Sequence, residues 1–190
     1  LRMHLQPSYG KARHVGETII DYMFDKNDDA RIPIVAITGT NGKTTTARLI
    51  GNLFERNNQR AGVACTDGVF VNGQCIDTGD CSGPKSARNI LFHPDVDAAV
   101  LETARGGMLR EGLGFDRCNV AIVTNIGMGD HLGMAYVNTA EELAAVKRII
   151  VQNVASSGYA VLNAADPLVV DMAEHCPGSV IFFARDNLHH

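Results

Sequence analysis

The sequence predicts an α/β protein: a doubly wound, mostly parallel sheet with a phosphate-binding loop after its first strand and a short β-hairpin. Three observations predict it. From residue 32 onward, apolar runs of strand length alternate with amphipathic helical patterns, the order that βαβ units produce. Ile34-Val35-Ala36-Ile37 runs into the small-residue turn Thr38-Gly39-Thr40-Asn41-Gly42, and Lys43-Thr44-Thr45-Thr46 opens a helix directly after it. Asn72-Gly73 stands between two strand-like runs and favours the type I′ turn that joins antiparallel strands.

Composition sets the outer limits. The 190 residues, 45% hydrophobic and 20% charged, suffice for one α/β domain with a sizeable core. A net charge of -4 gives no reason to expect a nucleic-acid partner. No apolar run approaches membrane-spanning length, and the N-terminal residues lack the charged-then-apolar layout of a secretion signal, so the expected location is cytoplasmic, with no membrane partner. Cys65, Cys75, Cys81, Cys118 and Cys176 are odd in number, form no C-x-x-C pair and read as reduced, packed thiols.

In chain order, residues 1–31 hold one short helical pattern (Val15, Ile19, Ile20, Met23, Phe24) and end in the charged run Asp25-Lys26-Asn27-Asp28-Asp29, which reads as a linker. A boundary just before Ile32 follows. The helix after the loop is expected to bury Leu49, Ile50, Leu53 and Phe54 on one face. A strand over 62–66, a hairpin over 68–76, a loop over 79–84 and a helix from 85 to about 92 come next. Then follow a strand over 97–103, a Gly-broken segment over 105–114, a strand over 119–125 and a helix over 140–154. A strand over 159–163, a helix over 168–175 and a strand over 180–183 complete the pattern.

The chemistry concentrates at the predicted carboxyl ends of strands, where open α/β sheets hold ligands. Gly39 and Gly42 allow the backbone to turn its N–H groups onto phosphate oxygens at a helix N-terminus. Lys43 offers a point charge to the outer phosphates, and the Thr44 hydroxyl can ligate Mg²⁺. The general phosphate-loop pattern places glycine where this chain has Ile37, so the loop is a variant. Glu102, ending an apolar strand, is either a solvated strand end or a Mg²⁺ ligand facing the loop. Asn125, Asp130 and His131 lie in a Gly-rich segment that reads as a turn, or as a site that coordinates a second cation or orients phosphate and substrate. Thr139 and Glu142 form a capping-box spacing, and Lys147 falls inside the apolar arc of Leu143, Val146, Ile150 and Val154, where a lysine must snorkel, pair or lose its charge. Asn163 and Asp166 end another strand, as contacts to base or ribose or as a turn before the next helix.

The stretch T-G-T-N-G-K-T-T resembles the signature of the Mur ligases and their relatives, the folylpolyglutamate synthetases and cyanophycin synthetases, all ATP-dependent carboxylate–amine ligases. The resemblance implies ATP and Mg²⁺ as cofactors, held by Gly39, Thr40, Asn41, Gly42, Lys43, Thr44 and Thr45. It assigns Mg²⁺ to Thr44 and Glu102 and a second Mg²⁺ to His131, and it implies that Lys147 is carbamylated and stabilises the metal site. Lys43, His131 and Lys147 are then the catalytic set. The family's N-A-D-D segment approaches the nucleotide; here Asn163-Ala164-Ala165-Asp166 has Ala165 in place of one acidic residue.

R-M-H-L-x-P-S-x-G, L-E-T-A-R-G-G-M-L-R-x-G-L-G-F-D and A-V-L-N-x-x-D-P-L-V are similar to stretches of the cyanophycin synthetases, from residue 2 to about 184. That finer resemblance implies that residues 1–31 form a tail from a preceding ATP-grasp domain and residues 32–190 a Mur-like central domain. It implies a poly-aspartate primer and arginine as substrates, Asp80, Ser82, Arg105 and Arg110 as substrate-binding residues, and oligomerisation through the full-length enzyme. Cys81 and Ser82 stand where the family has Thr-Thr. The C-terminal lobe of such ligases has no counterpart in the sequence, so these residues alone are expected not to complete ligation. Two other readings stand beside this one: a Mur-like ligase acting on folate or peptidoglycan precursors, and a nucleotide-binding module without catalysis.

Overall fold

A computed structural model describes residues 4–5, 13–24, 29–127 and 137–185. The chain divides into two units, 1–31 and 32–190. In the first, β1 (His4–Leu5) pairs antiparallel with β2 (Arg13–His14), and α1 (Val15–Met23) follows.

The second unit runs β3 (Ile34–Thr38), α2 (Lys43–Arg56), β4 (Ala61–Cys65), β5 (Gly68–Val71), β6 (Gln74–Thr78), α3 (Pro84–Leu91), β7 (Ala98–Glu102) and α4 (Arg105–Glu111). It continues with β8 (Cys118–Val123), α5 (Ala140–Lys147), α6 (Ile149–Gln152), β9 (Val154–Asn163), α7 (Pro167–Val170), a 3₁₀ turn over Asp171–His175 and β10 (Ser179–Phe183). The strands form one eight-stranded sheet in the order β10-β9-β8-β3-β7-β4-β5-β6. Pairing is parallel from β10 to β4 and antiparallel in the β4-β5-β6 meander. This is the doubly wound, mostly parallel sheet with a hairpin that the sequence predicts. Asn72 (φ 48°) and Gly73 (φ 75°) both take positive φ, as a type I′ turn requires.

Alternation along the strands sorts side chains between two layers. Val35, Ile37, Val63, Val100 and Ile122 face α2, packing with Ala47, Ile50 and Phe54. Ile34, Ala36, Leu101, Val123 and Leu162 face the opposite way, onto Ile90, Met108, Leu143, Ile150 and Val169 from α3 to α7.

Four local expectations change. Leu49 and Leu53 are 60% and 57% exposed, because α2 presents Ala47, Ile50, Gly51 and Phe54 to the sheet. Gly51 permits this close approach: a Cβ there would lie 2.5 Å from a Val63 methyl. The Gly-broken segment 105–114 contains a real helix, α4, since a Cβ on Gly107 would sit 2.9 Å from Pro84 Cδ and the glycine lets the helix reach that loop. The helix expected over 140–154 breaks at Arg148, and β9 begins already at Val154, where Cys118 pairs with it. The helix expected over 168–175 is α only through Val170 and 3₁₀ beyond.

All five cysteines are free; Cys65, Cys81 and Cys118 are buried, and burial pushes the Cys118 thiol up to about 12. No helix among the described residues is long and apolar enough to cross a membrane.

One exposed ion-pair cluster ties β7 to the turn before β4. The Arg60 guanidinium donates to Asp97 at 2.8 and 3.0 Å and to Asp95 at 3.0 Å. Hydrogen bonds from the Arg60 side chain, and then its backbone N–H, hold the Asp97 carboxyl down at about 2. A depressed carboxyl contributes stability that is complete above its unfolded value of about 4 and is lost as pH falls through the folded value. Asp97→Asn is therefore expected to lower thermal stability modestly above about pH 4, the pair being exposed, and to flatten the loss between about pH 4 and 2 so that the two chains converge in acid, as scanning calorimetry across that range would show. An unaltered acid limb in Asp97→Asn would sink this expectation.

Candidate nucleotide site

The phosphate loop begins where β3 ends. The Thr38 hydroxyl donates to Thr103 O at 2.8 Å, and Thr103 N–H donates to Ile37 O at 2.7 Å, so the carboxyl ends of β3 and β7 are fixed to each other. Gly39 (φ 140°) is obligatory: a Cβ there would meet Thr124 Oγ1 at 1.9 Å. Gly42 (φ 84°) turns the chain into α2 as its N-cap, a left-handed conformation that glycine takes without steric cost. The first helical bond is Thr46 N–H to Gly42 O at 3.0 Å. The N–H groups of Lys43, Thr44 and Thr45 thus stand ahead of the helix ladder at the positive end of its dipole. Lys43 Nζ donates to Thr40 O at 2.9 Å, which arches its ammonium over the loop.

Glu102 is brought to this loop by strand register: Ile37 of β3 lies opposite it on β7. The carboxylate is only 3% exposed. Oε2 accepts from the Thr44 hydroxyl at 2.8 Å and from Thr66 N–H at 3.0 Å, and Oε1 accepts from the Thr66 hydroxyl at 2.8 Å. Thr66 was not singled out from sequence. Its signal was available, a hydroxyl residue one step past an apolar strand, in the position that Thr38 and Thr124 occupy on their own strands.

Lys147 is 1% exposed, and its Nζ donates to Gly39 O at 2.8 Å. Its place on the apolar arc is explained by reach: Leu143 and Ala144 of α5 join the buried core beside α4, α6 and α7, and the long Lys147 stem carries Nζ across to the phosphate loop. The capping box that starts α5 is present, with Glu142 N–H donating to Thr139 Oγ1 at 3.2 Å and Thr139 N–H to Glu142 Oε2 at 3.2 Å. His131 and Asp130 lie outside the described residues.

Thr40 and Asn41 behave differently from the expectation that their N–H groups receive phosphate. Thr40 N–H donates to Asn125 O at 2.9 Å and Asn41 N–H to Asn125 Oδ1 at 3.0 Å. The same strap, residues 124–127, is held from its other side. Asn163 Nδ2 donates to Thr124 O at 2.8 Å, and Asp166 Oδ2 accepts from Ile126 N–H at 2.7 Å. Asp166 Oδ1 meanwhile caps α7 by accepting from Leu168 N–H at 3.1 Å. Both oxygens of Asp166 are thus engaged within the chain. Beside the loop a cavity of about 520 Å³ is lined by Gly42, Thr46, Ile122, Val161, Asn163 and Phe183. Its volume falls within the range of small-molecule sites.

Asp80 and Ser82 lie in the loop before α3, and Arg105 and Arg110 lie on α4. Asp80 Oδ1 accepts from Ser82 N–H at 3.1 Å and from its hydroxyl at 2.6 Å. Ala104 N–H donates to Ser82 O at 3.1 Å, which joins this loop to the residue before Arg105. Arg110 is exposed and folds back over Gly106, with Nη1 3.6 Å from where a Cβ would be.

The site suits ATP and Mg²⁺ on its own chemistry. Three N–H groups at a helix start, a cationic Lys43 and two left-handed or extended glycines form a cradle that side chains would fill. Thr44 Oγ1 and the Glu102 carboxylate are hard oxygen donors 2.8 Å apart. Among the described residues no group of three His, Cys, Asp or Glu could hold a metal by itself. Mg²⁺ does not need one, since it is usually bound by one or two protein oxygens together with substrate phosphates and water.

A parallel sheet, a phosphate loop on its carboxyl edge and a threonine–carboxylate pair beneath that loop define a P-loop α/β nucleotide-site domain. The chain belongs to the Mur ligase family, whose middle-domain model matches residues 37–190. Over 185 residues it is 48% identical to the cyanophycin synthetase of Synechocystis sp., covering 97% of this chain and 21% of that protein. Identity to the cyanophycin synthetase of Crocosphaera subtropica is 49% over 185 residues, with the same coverage. The chain thus spans about a fifth of the length of these curated relatives. Among solved structures, a UDP-N-acetylmuramoyl-L-alanyl-D-glutamate–2,6-diaminopimelate ligase superposes with TM-score 0.65 at 26% identity, over 82% of this chain and 33% of that one. A bifunctional folylpolyglutamate synthase/dihydrofolate synthase, solved with Mn, AMPPNP and L-glutamate bound, superposes with TM-score 0.56 at 18% identity, over 84% of this chain and 44% of that one. That second likeness is one of fold.

Proposed function

We propose that this domain binds ATP with Mg²⁺ and, within a longer cytoplasmic ligase of the cyanophycin synthetase type, activates a carboxylate for attack by an amine. The single observation that carries the nucleotide reading is the convergence on Thr44: its hydroxyl lies 2.8 Å from the buried Glu102 carboxylate at the start of the phosphate-loop helix. In this reading the carboxylate is an aspartate side chain of a poly-aspartate primer, and the amine is the α-amino group of arginine. The identity to cyanophycin synthetases supports that choice of substrates. No nucleic acid or membrane takes part, and oligomerisation belongs to the full-length enzyme.

A carboxylate resists amine attack because its charge repels the nucleophile and its oxygen leaves poorly. ATP with Mg²⁺ supplies the phosphoryl group that converts that oxygen into a leaving group. The work of this chain is positional and electrostatic. The N–H groups of Lys43, Thr44 and Thr45 receive phosphate oxygens, and Lys43 turns its ammonium from Thr40 O towards them. Thr44 and Glu102 hold the cation, with His131 as ligand to a second one. Lys147, carbamylated in this reading, braces the metal site. Asn163 borders the cavity beside the loop, and Asp166 fixes the strap next to it. Asp80, Ser82, Arg105 and Arg110 take the acidic primer.

Titration calorimetry with Mg-ATP tests the binding step. Lys43→Ala is expected to weaken binding by about 10- to 100-fold, the size of one charge-assisted phosphate contact. Equal affinity of the unmutated chain and Lys43→Ala would remove the phosphate loop from the argument.

A further inference from the structure

We infer that Asn125 is a positioning residue for the triphosphate: its carboxamide clamps the Asn41 peptide and so holds the phosphate loop in the shape that presents Lys43, Thr44 and Thr45. The inference rests on the nucleotide reading above and assigns Asn125 a task other than cation coordination.

The geometry is that of a short artificial strand pairing. Asn125 Oδ1 accepts from Asn41 N–H at 3.0 Å, and Asn125 Nδ2 donates to Asn41 O at 3.2 Å. One planar carboxamide thereby satisfies both polar groups of one loop residue. Its neighbours close the same seam. Thr40 N–H donates to Asn125 O at 2.9 Å, Thr124 Oγ1 donates to Asn41 O at 2.7 Å, and Gly127 N–H donates to Thr40 Oγ1 at 2.8 Å. Gly39 completes the fit from below, since any Cβ there would collide with Thr124.

Two consequences follow from donor accounting. The N–H groups of Thr40 and Asn41 are already committed to Asn125, so phosphate is left to the groups after Gly42. A loop rich in small residues would otherwise sample many conformations, and fixing it before ligand arrives lowers the entropic cost of binding. The carboxamide is suited to this because it carries a donor and an acceptor in one plane; a carboxylate lacks the donor and an aliphatic side chain lacks both. The clamp is itself anchored, because Asn163 and Asp166 hold Thr124 O and Ile126 N–H on the strap's other side.

The test uses the unmutated chain, Asn125→Leu and Asn125→Asp, with two readouts. In the free chain, amide hydrogen exchange at Asn41 is expected to speed up by at least about 10-fold in Asn125→Leu, and less in Asn125→Asp, which keeps the acceptor. By calorimetry, Mg-ATP and Mg-tripolyphosphate are both expected to bind about 10- to 100-fold more weakly to Asn125→Leu, while the melting temperature falls by no more than about 3 °C. Loss of tripolyphosphate affinity separates a clamp on the phosphate loop from a contact to base or ribose. Wild-type affinity together with unchanged Asn41 exchange in Asn125→Leu overturns the clamp alone. Failure of the unmutated chain to bind either probe overturns the nucleotide reading and the clamp's purpose with it, while the exchange measurement still reports whether the seam exists. A melting temperature lowered by 10 °C or more in both variants, with affinity falling in proportion, makes Asn125 a structural residue and overturns the positioning role.

Discussion

Gly39→Ala is expected to abolish measurable Mg-ATP binding and to lower the melting temperature by about 4–8 °C. Two penalties act at once. The backbone stands at φ 140°, a conformation that a Cβ makes costly. The new methyl would also lie 1.9 Å from Thr124 Oγ1 and 3.1 Å from Asn125 N, neither of which can retreat without opening the seam to Asn41. Strain and overpacking together cost at least about 2 kcal/mol, which for a chain of this size corresponds to that shift in melting temperature. Binding suffers more than stability, because the loop relieves the clash by moving the N–H groups that receive phosphate, and the Gly39 carbonyl that accepts from Lys147 moves with them. Removing the Thr124 hydroxyl in the double variant Gly39→Ala/Thr124→Ala takes away the shortest contact but leaves the approach to the Asn125 backbone, so rescue should be partial. Full wild-type binding by Gly39→Ala would show that the loop does not need the conformation it holds here.

The contrast between Gly39 and the neighbouring residues shows what could be read from the sequence. Periodicity and the Gly-rich turn were enough for the sheet, the phosphate loop, the hairpin at Asn72-Gly73 and the place of Lys147 inside the apolar arc of its helix, because each depends on local pattern; that Lys147 is buried there and does not snorkel out is seen only in the structure. Where two elements approach closely, pattern misled. Leu49 and Leu53 look like the packed face of α2, yet Gly51 and Ala47 face the sheet because the helix sits too near it for larger side chains. Gly106 and Gly107 look like a helix breaker, yet α4 forms because Gly107 must meet Pro84. Tertiary contact overrides propensity in both cases. Partners far apart in the chain were equally hidden. Thr66 reaches Glu102 across 36 residues, and Asn125 reaches Asn41 across 84. Strand ends alone point to a region, while the identity of each partner depends on register.

Glu102 offers the sharpest separation of metal binding from structural support, because its two simplest replacements differ in what they leave unpaired. In Glu102→Gln the amide oxygen can take the Oε2 position and accept from Thr66 N–H and the Thr44 hydroxyl, while the amide nitrogen donates to the Thr66 hydroxyl, which can rotate to accept. All three contacts survive, so stability should change by no more than about 1 kcal/mol. Glu102→Ala leaves the Thr66 N–H and two hydroxyls facing a cavity and should cost about 2–4 kcal/mol. Divalent-ion dependence should order the variants differently. Both lose the charged ligand, so both should need at least about 10-fold more Mg²⁺ to reach half-maximal nucleotide binding, and in a full-length ligase both should lose turnover by a factor on the order of 10² to 10³. Melting curves together with Mg²⁺ titrations at fixed ATP would resolve the two scales. If Glu102→Gln keeps the wild-type Mg²⁺ requirement, the carboxylate serves only to tie Thr44 and Thr66 together, and the cation must be held elsewhere.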